Sequence, residues 1–387
     1  MRARAALAAC ALGALGASAQ TPRAGGRITD SILQIGIARK ARLITLSPQG
    51  RFSVIDQATG RTQTLESGQS YLVASDAQQR ISLGSFVFSG ATRLLPGGPE
   101  DTVLVAGKKY RGNFIFKPSE GGTVTVVDEV GIEDYLRGVL PHEMSPDWPL
   151  EALKAQAVVA RTFALTNLGK YAGAGYDLSD DVGSQVYSGI AAPSKNVEAA
   201  VSETAGEVLQ YQGSLLGVFF HSCCGGSTAD PKDVWGRPAA TPRPLRGVKD
   251  RYCRRSPHYQ WSAYFANEDL LAALAAHGRD GARLNALRLG ARSRGGLLKT
   301  FRLQLDGRRV DVRANDLRNW MGPSDIKSTQ IWRVVERKRG YEFVGRGFGH
   351  GVGLCQWGAR AQADAGRDYR KILSFYFPGA AIAHHVD

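Results

Sequence analysis

Beyond its first nineteen residues the sequence has no stretch long and apolar enough to cross a bilayer as a helix. It has no helix-turn-helix pattern, no RNA-binding signature and no basic tract, so nucleic acid is not the expected partner. No G-x-G-x-x-G opens a helix after a strand, and no G-x-S-x-G elbow is present, which argues against a dinucleotide fold and a serine hydrolase. The C-x2-C and H-x3-H spacings of common zinc sites are missing as well. Internal repeats and low-complexity linkers are absent.

Positive charge is abundant. The chain carries 49 Lys and Arg against 35 Asp and Glu, a formal charge of +14 over 387 residues. With nucleic acid set aside, that balance points to a membrane surface or an anionic wall polymer. The length suits one large domain or two.

Arg2 and Arg4 precede an apolar run from Ala5 to Gly16, followed by Ala17-Ser18-Ala19, an A-x-A cleavage pattern. Leu7-Ala8-Ala9-Cys10 resembles a lipobox but precedes most of the apolar run, so cleavage after Ala19 and export are expected. Export leaves Cys223, Cys224, Cys253 and Cys355 in an oxidising compartment, where a disulfide is commoner than a metal site. Cys224 and Cys253 are the expected pair, with Cys223 an alternative partner.

Short alternating runs such as Arg51–Ile55 and Thr123–Val127 predict an antiparallel meander from about 28 to 127. Helices are expected over 132–140, ending at Pro141, and over 149–168. Further helices are expected at 194–209, in its first part, and at 267–276, 356–365 and 369–377. A hairpin over 300–312 should turn at Asp306-Gly307. Strands first and mixed elements after give an α+β class. The expected division is a leader at 1–19, a β-rich N-terminal region at 20–95 and a mixed helix–strand domain at 96–380.

Glu143 sits in a proline-rich turn between two expected helices, close to Met144 and Trp148. Desolvation there would raise its pKa and keep a proton available for general-acid work. On the following helix Lys154, Ala157 and Arg161 share a stripe at i, i+3 and i+7, read as a cationic face beside the acid. Glycine fills every second position from Gly345 to Gly353, which in an extended chain gives one bare face for close approach. Gln356 and Trp357 then open a helix, and tryptophan is a good surface for stacking sugars. His221 and Ser222 end an apolar strand, ahead of Gly225-Gly226.

Five blocks in order resemble the stage II sporulation protein D and amidase-enhancer (SpoIID/LytB) family. They are Asp134–Met144 with Trp148–Ala164, Gln185–Gly189, Phe220–Gly226, Val234–Gly236 and Gly347–Ala359. The resemblance covers roughly residues 100–380. It implies a bacterial wall protein acting on peptidoglycan glycan strands, either as a lytic transglycosylase or as an enhancer of a cell-wall amidase. Glu143 matches the family's catalytic glutamate, and Lys154 and Arg161 match cationic positions serving its active site. Gln185, His221, Ser222, His350 and Gln356 are the further expected cleft residues. Some members bind zinc through a Cys- and His-bearing loop before the Gln-x-Tyr block. Here that loop, 177–185, has neither residue, so no metal and no cofactor is expected.

Overall fold

Period-2 patterning along residues 32–131 produces twelve strands in a computed structural model that describes residues 28–236 and 240–384. The expected leader and Cys10 lie outside the described residues. In the strand Phe52–Asp56, Phe52, Val54 and Asp56 are buried while Ser53 and Ile55 are half-buried, as one-sided packing requires. The strands form a six-stranded antiparallel sheet and a seven-stranded sheet that takes in Leu178–Ser179 as a parallel edge.

Both sheets straddle residue 95. Thr92–Pro96 pairs with Asn113–Ser119, and Ile44–Gln49 pairs with Thr102–Val105. The β-rich region therefore runs on to Gly131 rather than closing at the expected boundary. Pairing between distant strands leaves no local mark in a sequence, which is why the boundary was not legible.

Eight α-helices follow among the described residues: α1 (Ile132–Glu143), α2 (Leu150–Thr166), α3 (Lys195–Ser202), α4 (Pro231–Trp235), α5 (Asn267–Ala275), α6 (Ala314–Met321), α7 (Gln356–Asp364) and α8 (Tyr369–Tyr376). α1 continues through Pro141 instead of ending there. Proline's fixed φ suits a helix, and in a last turn it forfeits one hydrogen bond. Met144 closes the helix by donating its N–H to the Leu140 carbonyl at 2.9 Å.

α2 is the axis of the main core. Every residue from Ala155 to Leu165 is buried, and α1, α3, α7 and α8 pack around it. Its alanines let those neighbours approach closely, while Leu153, Val158 and Phe163 supply apolar volume. Truncating Phe163 to alanine would cost about 3–5 kcal/mol.

A second core lies within residues 261–343, built on Trp261, Phe265, Phe301, Leu317 and Phe343 and separate from the first. It is formed by two three-stranded sheets with α5 and α6. Its hairpin turns at Asp306-Gly307, with φ of 46° and 78°, the left-handed pair that suits a two-residue turn.

The glycine ribbon is not an extended strand. Pairing stops at Arg346, and Gly347, Gly349, Gly351 and Gly353 all have positive φ, from 74° to 111°. A Cβ on Gly347 would lie 2.5 Å from the Cys223 carbonyl oxygen, and one on Gly353 2.0 Å from that of Phe219. These glycines are demanded by backbone running against backbone, not by one bare face. They stitch the returning chain onto the 219–229 segment through bridges at Cys223–Phe348 and Ala229–Val352.

Candidate active site

Glu143 is the last residue of α1 and is 7% exposed. Burial pushes its carboxyl up to about 7 from an ordinary 4.5, opposed by the Gln356 side chain and the Val186 N–H. Its Oε1 has no protein partner, and it makes no ion pair among the described residues. The desolvation anticipated from the sequence is therefore present. No cation offsets it.

The polar row of α2 is placed differently from the expectation. Gln156 and Arg161 are fully buried. Arg161 donates from Nε and Nη2 to the two Glu133 carboxylate oxygens at 2.9 and 2.6 Å, and from Nη1 to the Glu207 carbonyl at 3.0 Å. Glu133 is at the start of α1 and Glu143 at its end, about 15 Å apart at helical rise. Lys154 Nζ is held by Glu151 at 2.9 Å and Glu203 at 2.7 Å. Burial works to lower the lysine pKa, but the two acids outweigh it and leave it raised. A stripe of cations inside a core is stable only when paired, and here both members are bound to acids other than Glu143.

The remaining expected residues lie along connected backbone. Phe220–His221 runs parallel to Leu354–Cys355, which delivers Gln356 to Glu143. The Ser222 carbonyl accepts the Trp357 N–H at 3.0 Å. The Gln185 amide oxygen accepts from Tyr135 of α1 at 3.3 Å, and its neighbour Val186 presents the N–H to Glu143. His221 Nδ1 donates to the Val352 carbonyl at 3.0 Å, whereas His350 Nδ1 accepts the Val352 N–H at 3.0 Å. Burial lowers both imidazoles, His221 to about 4, so both are neutral at ordinary pH.

A buried polar atom without a partner costs about 1–3 kcal/mol, so a folded protein keeps few. Several collect on these residues: Glu143 Oε1, both amide atoms of Gln156, Gln185 Nε2, His221 Nε2, Ser222 Oγ and His350 Nε2. Two tryptophans are neighbours in sequence of the acid and of its partner, Trp148 after Glu143 and Trp357 after Gln356. Trp148 and Trp357 have ring centroids 5.0 Å apart, with the Arg360 guanidinium 5.0 Å from each ring. Arg360 escaped the sequence reading, though its place one helical turn after Trp357 was available as a signal.

A cavity of about 650 Å³ also escaped it. Lys249, Arg251, Arg254, Arg292, Arg294 and Arg346 line it, with Tyr259 and Trp332. These cations come from three segments far apart in the sequence, so no basic run announced them. A second cavity of about 840 Å³ lies between α1 and α3, and Glu143 lines neither.

Cys224 Sγ and Cys253 Sγ are 3.5 Å apart and unbonded, and all four described cysteines are buried and free. No metal was expected, yet donor atoms of Cys224, Asp250, Cys253 and Cys355 all lie within 4.8 Å of one another. Segments up to 131 residues apart supply this group, and spacing rules built for adjacent ligands could not find it.

A profile of the stage II sporulation protein family matches residues 120–211, and one for a domain of unknown function matches residues 245–353. An uncharacterised protein of Brachyspira hyodysenteriae is 35% identical over 287 residues, 74% of this chain and 75% of its own. The amidase enhancer of Bacillus subtilis is 29% identical over 298 residues, 65% of this chain but 40% of its own. Stage II sporulation protein D of Bacillus amyloliquefaciens is 29% identical over 276 residues, 66% and 75% of the two chains.

Proposed function

Since the chain belongs to the SpoIID/LytB family, we propose that it is an exported wall protein that cleaves peptidoglycan glycan strands as a lytic transglycosylase. Glu143 is the acid and then the base. The observation that carries this reading is a buried carboxyl with pKa near 7, one oxygen unpartnered and no cation beside it.

Such a group is about half protonated at neutral pH, so it can give its proton to a basic atom brought into contact and take one back. Glu143 gives the proton to the glycosidic oxygen between N-acetylmuramic acid and N-acetylglucosamine as the C1–O bond breaks. The muramic 6-hydroxyl oxygen then bonds to C1, and its proton passes to the Glu143 carboxylate. The product is a 1,6-anhydro sugar formed without water, so one carboxyl suffices where ordinary glycosidases need two. Gln356 orients the acid, and Trp148, Trp357 and Arg360 provide a stacking edge for sugar rings.

A second reading is an amidase enhancer that binds the wall and activates a separate N-acetylmuramoyl-L-alanine amidase. The basic cavity favours it, because six cations gather there away from Glu143 and are ready for anionic wall strands. Digestion of purified sacculi followed by mass spectrometry separates the two. The enzyme reading expects anhydro-muropeptides from the wild type and none from Glu143→Gln. An inactive wild type that still accelerates an amidase would replace it with the second.

A further inference from the structure

We infer that Cys224, Cys253, Cys355 and Asp250 form a structural site for a borderline-soft divalent ion, zinc by its chemistry. Nothing in this inference requires Glu143 to cleave a bond.

The donor geometry comes first. Tetrahedral zinc with bonds of about 2.3 Å to sulfur and 2.0–2.2 Å to oxygen sets its ligands about 3.8 Å apart for two sulfurs and about 3.5 Å for sulfur and oxygen. Cys224 Sγ lies 3.5 Å from Cys253 Sγ and 3.2 Å from Asp250 Oδ2. All four donors fall within 4.8 Å of one another. A disulfide between Cys224 and Cys253 would use two of them and leave the Cys355 thiol and a buried carboxylate facing it.

The carboxylate is the second observation. Asp250 is fully buried and has no Lys, Arg or His partner among the described residues. It is held in one orientation: Oδ1 accepts the Tyr252 N–H at 2.8 Å, and Oδ2 accepts the Tyr376 hydroxyl at 2.9 Å. A buried, aimed acid beside three sulfurs lacks only a cation. Gly358 keeps that arrangement open, since a Cβ there would lie 2.4 Å from Asp250 Oδ2 and 2.0 Å from the Tyr376 oxygen.

The third sulfur is fixed by backbone: Cys355 Sγ accepts the Cys224 N–H at 3.3 Å, and Cys355 stands at the N-cap position of α7. Three thiolates and a carboxylate around a divalent ion carry a net charge of −2. Lys249, Arg251 and Arg254 flank Asp250 and Cys253 in sequence and make no ion pair among the described residues. Binding releases the thiol protons to solvent and involves no redox change. The ion ties the 222–226 loop, the 250–253 segment and the start of α7, so it holds Ser222 and Gln356 in register.

The full chain purified without reductant or added metal should contain about one zinc per molecule by elemental analysis. Replacing zinc with cobalt(II) should give thiolate-to-cobalt charge transfer and the intense visible bands of tetrahedral coordination. Asp250→Asn should weaken zinc at least tenfold, Cys355→Ser should abolish the cobalt spectrum, and Cys223→Ser should leave both unchanged. Should Cys355→Ser not fold, the wild-type cobalt spectrum and Asp250→Asn still decide. The inference is overturned if the wild type binds neither metal and yields a linked Cys224–Cys253 peptide. It is equally overturned if zinc binds undiminished in both ligand variants.

Discussion

One helix carries a part-buried glutamate at its start and a buried one at its end, and the protein treats them in opposite ways. Glu133 at the start of α1 is locked to Arg161 through two hydrogen bonds, and a third ties Arg161 to the Glu207 carbonyl. Glu143 at the other end has no cation, one unpartnered oxygen and a pKa near 7. A paired acid is spent on holding α1 against α2, whereas an unpaired one keeps a proton that can be given away. Both are at least partly withdrawn from solvent; what separates structure from chemistry is the company.

The largest effect should fall at the unpaired end. Glu143→Gln keeps the shape and removes the exchangeable proton, so release of anhydro-muropeptides should drop by about 10²–10⁴-fold. Folding, checked by circular dichroism, should be retained. Activity surviving in this variant would erase the contrast between the two ends.

Arg161→Met tests the paired end. It leaves Glu133 partly buried without a cation and should lower stability by about 3–5 kcal/mol in urea titration. Adding Glu133→Gln removes the stranded charge and should recover a good part of that loss. If the single variant is as stable as wild type but inactive, Arg161 serves the reaction and the assignment of roles is reversed.

A third test uses pH. Glu143 binds its proton more tightly folded than unfolded, with values near 7 and 4.5. Its contribution is therefore neutral below 4.5 and grows unfavourable as pH rises through 7, where it reaches about 3 kcal/mol. Glu143→Gln should accordingly be more stable than wild type at pH 8 and no different at pH 4. A stability gap that does not change with pH would mean that the carboxyl is not desolvated.

The sequence could announce Glu143 because its cues are local: a proline-rich turn, Trp148 nearby and the opening of α2. The glycine ribbon was visible as a constraint, but its cause was not. Period 2 suggested a strand, while the positive φ at Gly347 to Gly353 follows from the approach of residues 219–224, more than a hundred positions earlier. Lys154 and Arg161 were legible as a stripe and misleading as a surface, because Glu133 and Glu203 come from other helices or their ends. Asp250 had no periodicity or motif to mark it. What a residue is could be read; what stands opposite it could not.

Lys154 gives the smallest and most discriminating prediction. Its Nζ is bound by Glu151 one turn before it and by Glu203 just beyond α3, and it lies 5.7 Å from the Tyr369 ring centre. Glu203 is half exposed and Glu151 about a third, so solvent screens both pairs and they are worth about 0–1 kcal/mol in all. Lys154→Met keeps the apolar stem in place and should shift the urea midpoint only slightly. Anhydro-muropeptide release per folded molecule should be unchanged, because the ammonium is committed to acids other than Glu143. A loss of more than tenfold at preserved stability would place this cation in the reaction after all. The buried stripe would then be a set of groups that exchange partners when a glycan strand enters, and the division between the two ends of α1 would hold only for the unbound protein.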